Sequence, residues 1–472
     1  MLLLPLQKRH KDPLYIQIYN GIKQQILQGQ LLPGEKLPSK KQFITHYQIS
    51  QNTIQTALFL LLEEGYITSK ERQGYYVAPI EHLQTLPSIE KPLFSKPPEE
   101  HIRYDFSYSG VDMPHFPAPL FRRMMKNMFQ TLSKELFVQG DVQGYYPLRQ
   151  EICRYLKNSR GFETTPEQII IGAGTETLFP IILKLFSEET IYALESPGFK
   201  LLSQLLTAYH IPYKSVSVTE KGISLQELEK ANAQIACVTP SHQFPTGAIM
   251  PISTRQQLLK WALTSNNHYL VEDDYDSEFK YTGRPIPALK AIDSKDRVIY
   301  IGSFSKSISP ALRVSYMVLP KALLKRYQER IPYIQCPVST IVQRLLYQFM
   351  AEGHFEKHIN RMRTLYKKKR DLLLEALEKE IKDNLPAPLL ITGSDAGVHL
   401  LVTLPKECDI HAFKKECKAN HIKISMMEQV ARISPNEEAS KLVLGYASLP
   451  LEDIEIAVKT LIRSIKYSIF LK

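Results

Sequence analysis

The residue from which chemistry is most directly read is Lys306, set in the segment RVIYIGSFSKSISPALRVSYMV. Apolar runs lie on both sides of it, so its ammonium is costly to bury and its pKa should fall toward that of a nucleophilic amine, the form that makes a Schiff base with an aldehyde. Ser303, Ser305 and Arg313 stand around it with the hydroxyls and the guanidinium that suit a phosphate dianion. Asp273, Asp274 and Tyr275 follow the apolar run of HYLVEDDYDSEF. An Asp at such a strand end can keep a pyridine nitrogen protonated, and a Tyr two residues on can hydrogen-bond a phenolate oxygen. Paired acids after a strand also fit magnesium, but no phosphate-binding lysine of the Walker type accompanies them, so no metal is expected. In QIIIGAGTETLFPIIL, Gly172 and Gly174 allow close approach of a phosphate, and Thr175 opens a helix whose first N–H groups are unpaired. Phe199, after the Pro-Gly turn of ESPGF, could stack on a flat ring. Each signal alone has a bland alternative: a tight turn, a packed core Phe, a surface Lys.

These residues fall where elements change. From about residue 104, apolar runs such as QIIIG, TIYALE, IACVT, HYLVE and RVIYIG alternate with helical patterns, which predicts an α/β fold with a mostly parallel sheet. Polar groups at the C-terminal ends of such strands are where open α/β sheets bind ligands. The large part is expected over about 140–330. A smaller α+β part would take 331–472 together with 104–139, beginning with the amphipathic runs STIVQRLLYQFM and FEKHINRMRTLYKKKRDLLLEALEKEI.

Residues 1–79 have a different style. Leu14, Ile18, Ile22 and Ile26 recur every four positions, which predicts an amphipathic helix stopped by Gly29. Ser39 with Gln42 is a capping-box pattern opening a second helix, and Ser50 caps a third in which Ile54, Leu58, Leu61 and Leu62 should face inward. EEGYITSKERQGYYVAP then reads as strand, turn, strand, with Gln73 and Gly74 near the tip of a wing. A winged helix-turn-helix would place Gln51, Asn52, Thr53 and Gln55, just after the capping Ser50, in a major groove, with Ser39, Lys40 and Lys41 meeting phosphates and the wing tracking a neighbouring groove; all of these, Ser50 included, are DNA-binding candidates. Residues 80–103, rich in Pro and charge and without periodicity, read as a linker.

Composition sets the outer bounds. With 44% hydrophobic residues over 472 positions the chain can bury more than one core, and its formal charge of +11 is compatible with a polyanionic partner. Nine Lys and Arg against five Asp and Glu in residues 1–80 make the basic excess denser there. The five cysteines form no C-x-x-C pair, which argues against a disulfide framework or a structural zinc. The opening MLLLPLQKRHKD is too short for a signal segment, and no run nears ~18 apolar residues, so a cytoplasmic protein without membrane spans is expected.

Two resemblances sharpen this reading. LYIQIYNGIKQQILQGQLLPGEKLPSKKQFITHYQISQNTIQTALFLLLEEGYI closely resembles the GntR-type winged helix, with Lys41 and Gln51 where that family usually has Arg. TPSHQFPTG, EDDYDSEF and GSFSKSISPALRVSYMVLP resemble the fold-type I aminotransferase-like domain of the MocR subfamily of transcription regulators. The resemblance covers nearly the whole chain and implies pyridoxal 5′-phosphate as cofactor and double-stranded DNA as partner. It implies Lys306 as the Schiff-base lysine, Asp273 at the pyridine nitrogen, Tyr275 and His242 near the 3-hydroxyl, and Phe199 as the stacker. Gly174, Thr175, Ser303, Ser305 and Arg313 would hold the phosphate. It also implies a homodimer, with Tyr145 or Tyr146 of GYYPLR a contributor across the interface, and a small amino-group ligand, or the cofactor itself, as effector. The aminotransferases usually carry Asn where this chain has Phe244, and an Arg for the substrate carboxylate where it has Gln429 or Val443. Arg432 is the nearest arginine, and turnover as a transaminase is therefore the alternative to regulation rather than the leading expectation.

Overall fold

The computed structural model describes residues 4, 6–7, 12–79, 101–131, 134–281, 287–432 and 440–470. The chain separates into two compact units, residues 1–99 and 100–472. Most of the expected linker, residues 80–100, lies outside the described residues. Among the described residues no helix is long and apolar enough to cross a membrane.

In the N-terminal unit, helix α1 (Leu14–Leu27) buries Ile18, Tyr19, Ile22 and Ile26 on one face, and Gly29 stops it at φ +71°. Helix α2 (Lys40–Tyr47) begins in a complete capping box: the Gln42 N–H donates to Ser39 Oγ at 3.3 Å and the Ser39 N–H donates to Gln42 Oε1 at 2.8 Å. Helix α3 (Gln51–Glu63) is capped by Ser50, whose Oγ accepts from the Thr53 N–H at 3.2 Å. Its inward face is Ile54, Ala57, Leu58 and Leu61. Leu62, expected inside, is 37% exposed. Leu62 sits about 100° of helical rotation beyond Leu61, at the edge of the inward stripe, which Ala57 and Leu58 complete on the turn before. Strands β1 (Ile67–Lys70) and β2 (Gly74–Val77) pair antiparallel as the wing. Ion pairing ties the ends of the bundle together: Lys23 Nζ lies 2.8 Å from Glu64 Oε2, to which the Tyr19 hydroxyl also donates at 2.6 Å.

The larger unit is built on an eight-stranded sheet. From one edge to the other its strands are Ile169–Gly172, Ser315–Val318, Val298–Ser303, Tyr269–Asp274, Ile235–Val238, Tyr192–Ser196, Tyr213–Thr219 and Gly222–Ile223. The central neighbours are parallel, while Ser315–Val318 runs antiparallel to both of its neighbours. Every strand of this sheet except Tyr213–Thr219 is buried along its whole length or nearly so, as expected where helices cover both faces. Beyond them, Leu390–Thr392, His399–Thr403 and Lys441–Gly445 form a three-stranded antiparallel sheet, against which the helices His354–Asn384 and Ile454–Phe470 pack in one core. Tyr104–Asp105 pairs in parallel with Ile422–Lys423, which joins the start of this unit to its C-terminal part. Inside, Lys369 Nζ meets Asp112 Oδ2 at 2.6 Å and donates to the Ala447 carbonyl at 2.7 Å. That buried pair is satisfied on both sides, and removing one partner would strand a charge at a cost of about 3–5 kcal/mol.

Candidate functional site

The Tyr269–Asp274 strand shows why one acid of its run faces outward. Side chains alternate across a strand, so Glu272 and Asp274 point to one face and Asp273 to the other. Glu272 accepts from the Leu289 and Lys290 N–H groups at 2.7 and 2.9 Å. Asp274 lies 2.7 Å from Arg160 Nε and accepts from the Tyr300 hydroxyl at 2.6 Å. Both are thus tied down. Asp273 has no hydrogen-bond partner among the described residues and instead walls a small cavity with Phe179, Glu195, Phe199, Cys237, Thr239 and Arg432. Burial pushes its carboxyl up to about 7, with Asp274, Glu195 and Asp276 adding to the rise. Burial likewise lifts Glu195 to about 7, although Thr239 and Gln243 hydrogen-bond to it. The cation on this wall is Arg432, whose guanidinium bonds Ser215 Oγ.

Lys306 follows the Val298–Ser303 strand. Its ammonium donates to the Tyr108 carbonyl and stands 5.3 Å from the centre of the Tyr108 ring. Burial lowers its pKa to about 8, against the opposing pull of Asp276. The sequence reading missed Tyr108, Glu195, Asp276 and His399. Asp276 and Glu195 were visible as acids just past apolar runs, but nothing near Tyr108 or His399 in the chain marked either.

Aromatic rings line this region. The Phe244 ring lies 5.9 Å from Phe199, 5.1 Å from Tyr108 and 6.0 Å from Tyr275. His242 is held by its Nδ1, which sits 2.9 Å from Asp276 Oδ2 and 3.0 Å from the Tyr275 hydroxyl. Burial, then Asp276 and Asp273, hold the Tyr275 hydroxyl well above 10, as an uncharged phenol.

The sheet end also carries an anion-binding cradle. The helix Thr175–Leu185 starts at Gly174 with no side chain capping it, which leaves its first N–H groups free for an anion. Gly174 has φ +105°, and a Cβ there would fall 2.3 Å from Glu176 Oε2 and 2.4 Å from Arg313 Nη2. Only glycine fits. Arg313 donates to the Ala173 carbonyl at 2.9 Å and pairs with the Glu176 carboxylate. Ser303 Oγ accepts from the Ser305 N–H at 3.2 Å and from Ser315 Oγ at 3.0 Å. Uncapped helix N–H groups, the Ser303 and Ser305 hydroxyls and an arginine held beside them by Glu176 make a donor set for a phosphate dianion, while the buried Asp273 carboxyl, without a hydrogen-bond partner among the described residues, suits a protonated ring nitrogen. The residues present fit a phosphorylated pyridine aldehyde.

The residues expected near an effector separate in space. Arg432 lies on Ala431–Arg432, which pairs antiparallel with Gly198–Phe199. It shares the cavity wall with Asp273, its guanidinium bonds Ser215 Oγ and rests 4.7 Å from the Tyr213 ring centre. Gln429 lies elsewhere: its Oε1 accepts from the Met426 N–H at 3.0 Å, and it borders a separate hollow with Lys414 and His421. Tyr145 caps the helix Tyr146–Arg160 and packs against Tyr347 and beneath the Arg344 guanidinium.

In the N-terminal unit, Gln51, Asn52 and Gln55 are exposed at the start of α3. Thr53 is half-buried, with its hydroxyl 2.8 Å from Ser50 Oγ. Ser39 and Ser50 therefore spend their hydroxyls on caps. A hollow between the start of α2 and the wing is lined by Lys36, Ser39, Lys40, Gln42, Lys70, Arg72, Gln73 and Gly74, with Glu71 the lone acid among them, and Lys41 is exposed beside it. The side chains at this face are amides and cations, the types that pair with base edges and phosphates.

A winged helix-turn-helix in one compact unit and an aminotransferase-type α/β fold in the other define a class of transcription regulator that carries an enzyme's architecture. Residues 113–461 match the family model of aminotransferase class I and II, and residues 14–77 that of the bacterial regulatory proteins of the gntR family. An uncharacterized HTH-type transcriptional regulator of Bacillus subtilis, YdeL, is 36% identical over 97% of this chain and 98% of its own. The probable rhizopine catabolism regulatory protein MocR of Rhizobium meliloti is 27% identical over 97% and 95%. Among solved structures, the α-aminoadipate aminotransferase LysN of Thermus thermophilus is similar with a TM-score of 0.69 at 24% identity, over 79% of this chain and 94% of that one. The chain belongs to the aminotransferase class I and II family, fused to a GntR-type winged helix as in the MocR-type transcriptional regulators. The family match also supports pyridoxal 5′-phosphate as the coenzyme.

Proposed function

We propose that this protein is a cytoplasmic transcriptional regulator whose hold on DNA depends on pyridoxal phosphate and on an amino-group ligand, or on the coenzyme itself. One observation carries the reading. The same chain that presents exposed Gln51 and Asn52 on a capped recognition helix buries an amine lowered to about 8 at Lys306 and an unpartnered carboxyl raised to about 7 at Asp273. Bound there, the coenzyme supplies an aldehyde and an electron-withdrawing ring to an incoming amine. Lys306 is the covalent anchor, and its uncharged form is the attacking nucleophile. Asp273 holds the ring nitrogen protonated, Phe199 stacks on the ring and Tyr275 hydrogen-bonds the ring hydroxyl. Gly174, Thr175, Ser303, Ser305 and Arg313 hold the phosphate, and Arg432 meets the acidic end of a ligand at the cavity wall. Gln51, Asn52 and Gln55 read bases, and Lys40, Lys41 and the wing tip at Gln73 and Gly74 contact phosphates. A ligand can shift the regulator only by binding its two states unequally.

The retained Lys306 and Asp273 also favour a second reading, a working aminotransferase with a DNA-binding arm. One experiment separates them: DNA fragments selected by the protein are titrated with coenzyme and candidate amines, using wild type and Lys306→Ala. A change in DNA affinity that needs Lys306 but proceeds without formation of 2-oxo acid supports regulation. Steady 2-oxo acid formation with unchanged DNA affinity supports the enzyme, and a wild-type protein that stays colourless with added coenzyme defeats both.

A homodimer completes the proposal. Phe137, Val138 and Tyr333 are exposed at 72%, 64% and 66%, and Phe129 packs near Phe137 with ring centres 6.3 Å apart. Apolar surface of this kind favours a second copy, to which Tyr145 would contribute, and two winged helices would then read a repeated half-site. Light scattering that finds a coenzyme-loaded monomer would contradict it.

A further inference from the structure

Behind Tyr275 lies a buried group that the proposed chemistry does not yet use. His242 Nδ1 is 2.9 and 3.2 Å from the two oxygens of Asp276 and 3.0 Å from the Tyr275 hydroxyl. A carboxylate can only accept, so the hydrogen in these contacts belongs on Nδ1. His242 Nε2 is buried and has no partner among the described residues. A bare lone pair there is tolerable, whereas a buried N–H without an acceptor would be costly. Both observations select one tautomer. With Nδ1 already carrying a hydrogen, the Tyr275 hydroxyl cannot donate to it, and its own hydrogen is free to point elsewhere.

The surroundings lock this arrangement. Gly397, at φ +73°, lies so close that a Cβ would fall 2.2 Å from His242 Cε1 and 2.4 Å from Asp276 Oδ2. The Gly397 N–H donates to the Phe279 carbonyl at 2.8 Å, and the Tyr281 and Tyr446 hydroxyls both donate to its own carbonyl. On the other side, the His399 ring is 5.0 Å from that of His242, and burial, then His242 and Lys306, hold its pKa well below the usual histidine range.

We propose that Asp276 and His242 are positioning residues that fix Tyr275 as a hydrogen-bond donor toward the ring hydroxyl of the coenzyme, without touching the coenzyme themselves. The inference rests on the reading of Tyr275 given above. It assigns His242 to a Tyr275–His242–Asp276 relay rather than to the coenzyme, and it predicts a sign. Donation by Tyr275 to the ring oxygen loosens that oxygen's hold on the proton shared with the linkage nitrogen at Lys306, so the visible band converts at lower pH. Loss of Tyr275 donation therefore raises the midpoint, whereas loss of the Asp276 charge acting through space alone lowers it, because a nearby carboxylate favours the protonated nitrogen. Lys306, His399, Asp273 and Glu195 also face this pocket, Asp274 acts on it from the other face of its strand, and all are common to the variants compared.

The test is a pH titration of the bound coenzyme's absorption in wild type, Asp276→Asn, Tyr275→Phe and the double variant. In Asp276→Asn the amide nitrogen can donate to Nδ1 where the carboxylate could only accept, so the hydrogen is no longer held there and Tyr275 can turn its own hydrogen toward Nδ1. Both single variants should raise the midpoint, Tyr275→Phe by about one pH unit, the scale of one hydrogen bond. Added to Tyr275→Phe, Asp276→Asn should then lower the midpoint or leave it unchanged. A fall in the single Asp276→Asn variant, or shifts that add in the double, overturns the inference while leaving the coenzyme site intact. Absence of any visible band in wild type overturns the underlying reading. Should Asp276→Asn fail to fold, nitrogen NMR of histidine-labelled wild type decides, with His242→Gln for assignment: a hydrogen on Nδ1 supports the relay, and one on Nε2 overturns it.

Discussion

The two units solve the placement of functional groups in opposite ways. In the N-terminal unit the groups are exposed and held by neighbours a few residues away in the chain, Ser39 with Gln42 and Ser50 with Thr53. In the C-terminal unit they are buried and held across long stretches of chain: Lys306 bonds the Tyr108 carbonyl, Arg160 meets Asp274, and Arg432 reaches the Asp273 wall through pairing with Gly198. Exposed groups meet water, which favours ordinary charges, as a surface that meets a polyanion requires. Buried groups are pushed off them, Lys306 down and Asp273 up, which primes them for covalent and proton chemistry. The contrast is of solvent as much as of sequence distance.

The largest effects should come from breaking the buried side. Lys306 has a pKa lowered to about 8, so its folded-state ammonium is disfavoured: the penalty is full below about 8 and fades between there and the ordinary lysine range. The attacking amine is then scarce at low pH. The rate of coenzyme loading should rise about tenfold per pH unit up to about 8 and level off above it. Stopped-flow absorbance checks this, and a rate flat from pH 6 to 9 would contradict the lowered amine. Asp273→Asn should weaken coenzyme binding about 10- to 100-fold, the loss of a charge-assisted hydrogen bond. Because the carboxyl's pKa is raised to about 7 by burial and by neighbouring acids, the sign for the coenzyme-free protein is the reverse: its ionised form is a burden that grows as pH climbs from the ordinary carboxylate range to about 7. At pH 8 the coenzyme-free Asp273→Asn protein should therefore melt higher than wild type.

On the exposed side, Asn52→Ala should cost about 1–3 kcal/mol in discrimination at one base pair. Lys41→Ala should weaken binding evenly across sequences and reduce the salt slope by about one. Neither should move the coenzyme's absorption. Fluorescence anisotropy over a salt series, with the spectrum of the same sample, tests both halves, and a spectral change in Asn52→Ala would break the separation of the two sides.

The same contrast decides what could be read before the fold was seen. The caps at Ser39 and Ser50, the turn at Gly29 and the wing are local rules, and they stand where spacing put them. The alternation of strands and helices likewise located Lys306, Asp273 and Gly174, because a strand end is a local feature that fixes a global position. Partners distant in the chain were not legible. Tyr108 is 198 residues from Lys306, and His399 reaches His242 from the first residue of its own strand. The distinction between Asp273 and Asp274 needed the face of the sheet to be known. His242 was read as a neighbour of the ring hydroxyl, and its contact through Nδ1 with Asp276 was not legible, because Asp276 reads in sequence as one more acid in a run.

The smallest effect sharpens the exposed side of the comparison. Leu61 and Leu62 are adjacent, identical in composition and equally apolar to any pattern search, but Leu61 is fully buried and Leu62 is 37% exposed. Leu61→Ala should cost the N-terminal unit about 2–5 kcal/mol, whereas Leu62→Gln should stay within about 0.5 kcal/mol, because a surface substitution on a helix keeps good helix propensity and removes little buried area. The first unfolding transition in urea, followed by circular dichroism, distinguishes the two. A loss above about 1.5 kcal/mol for Leu62→Gln would mean that position 62 is covered in solution. The second copy proposed for the larger unit would then have to reach the recognition helix as well.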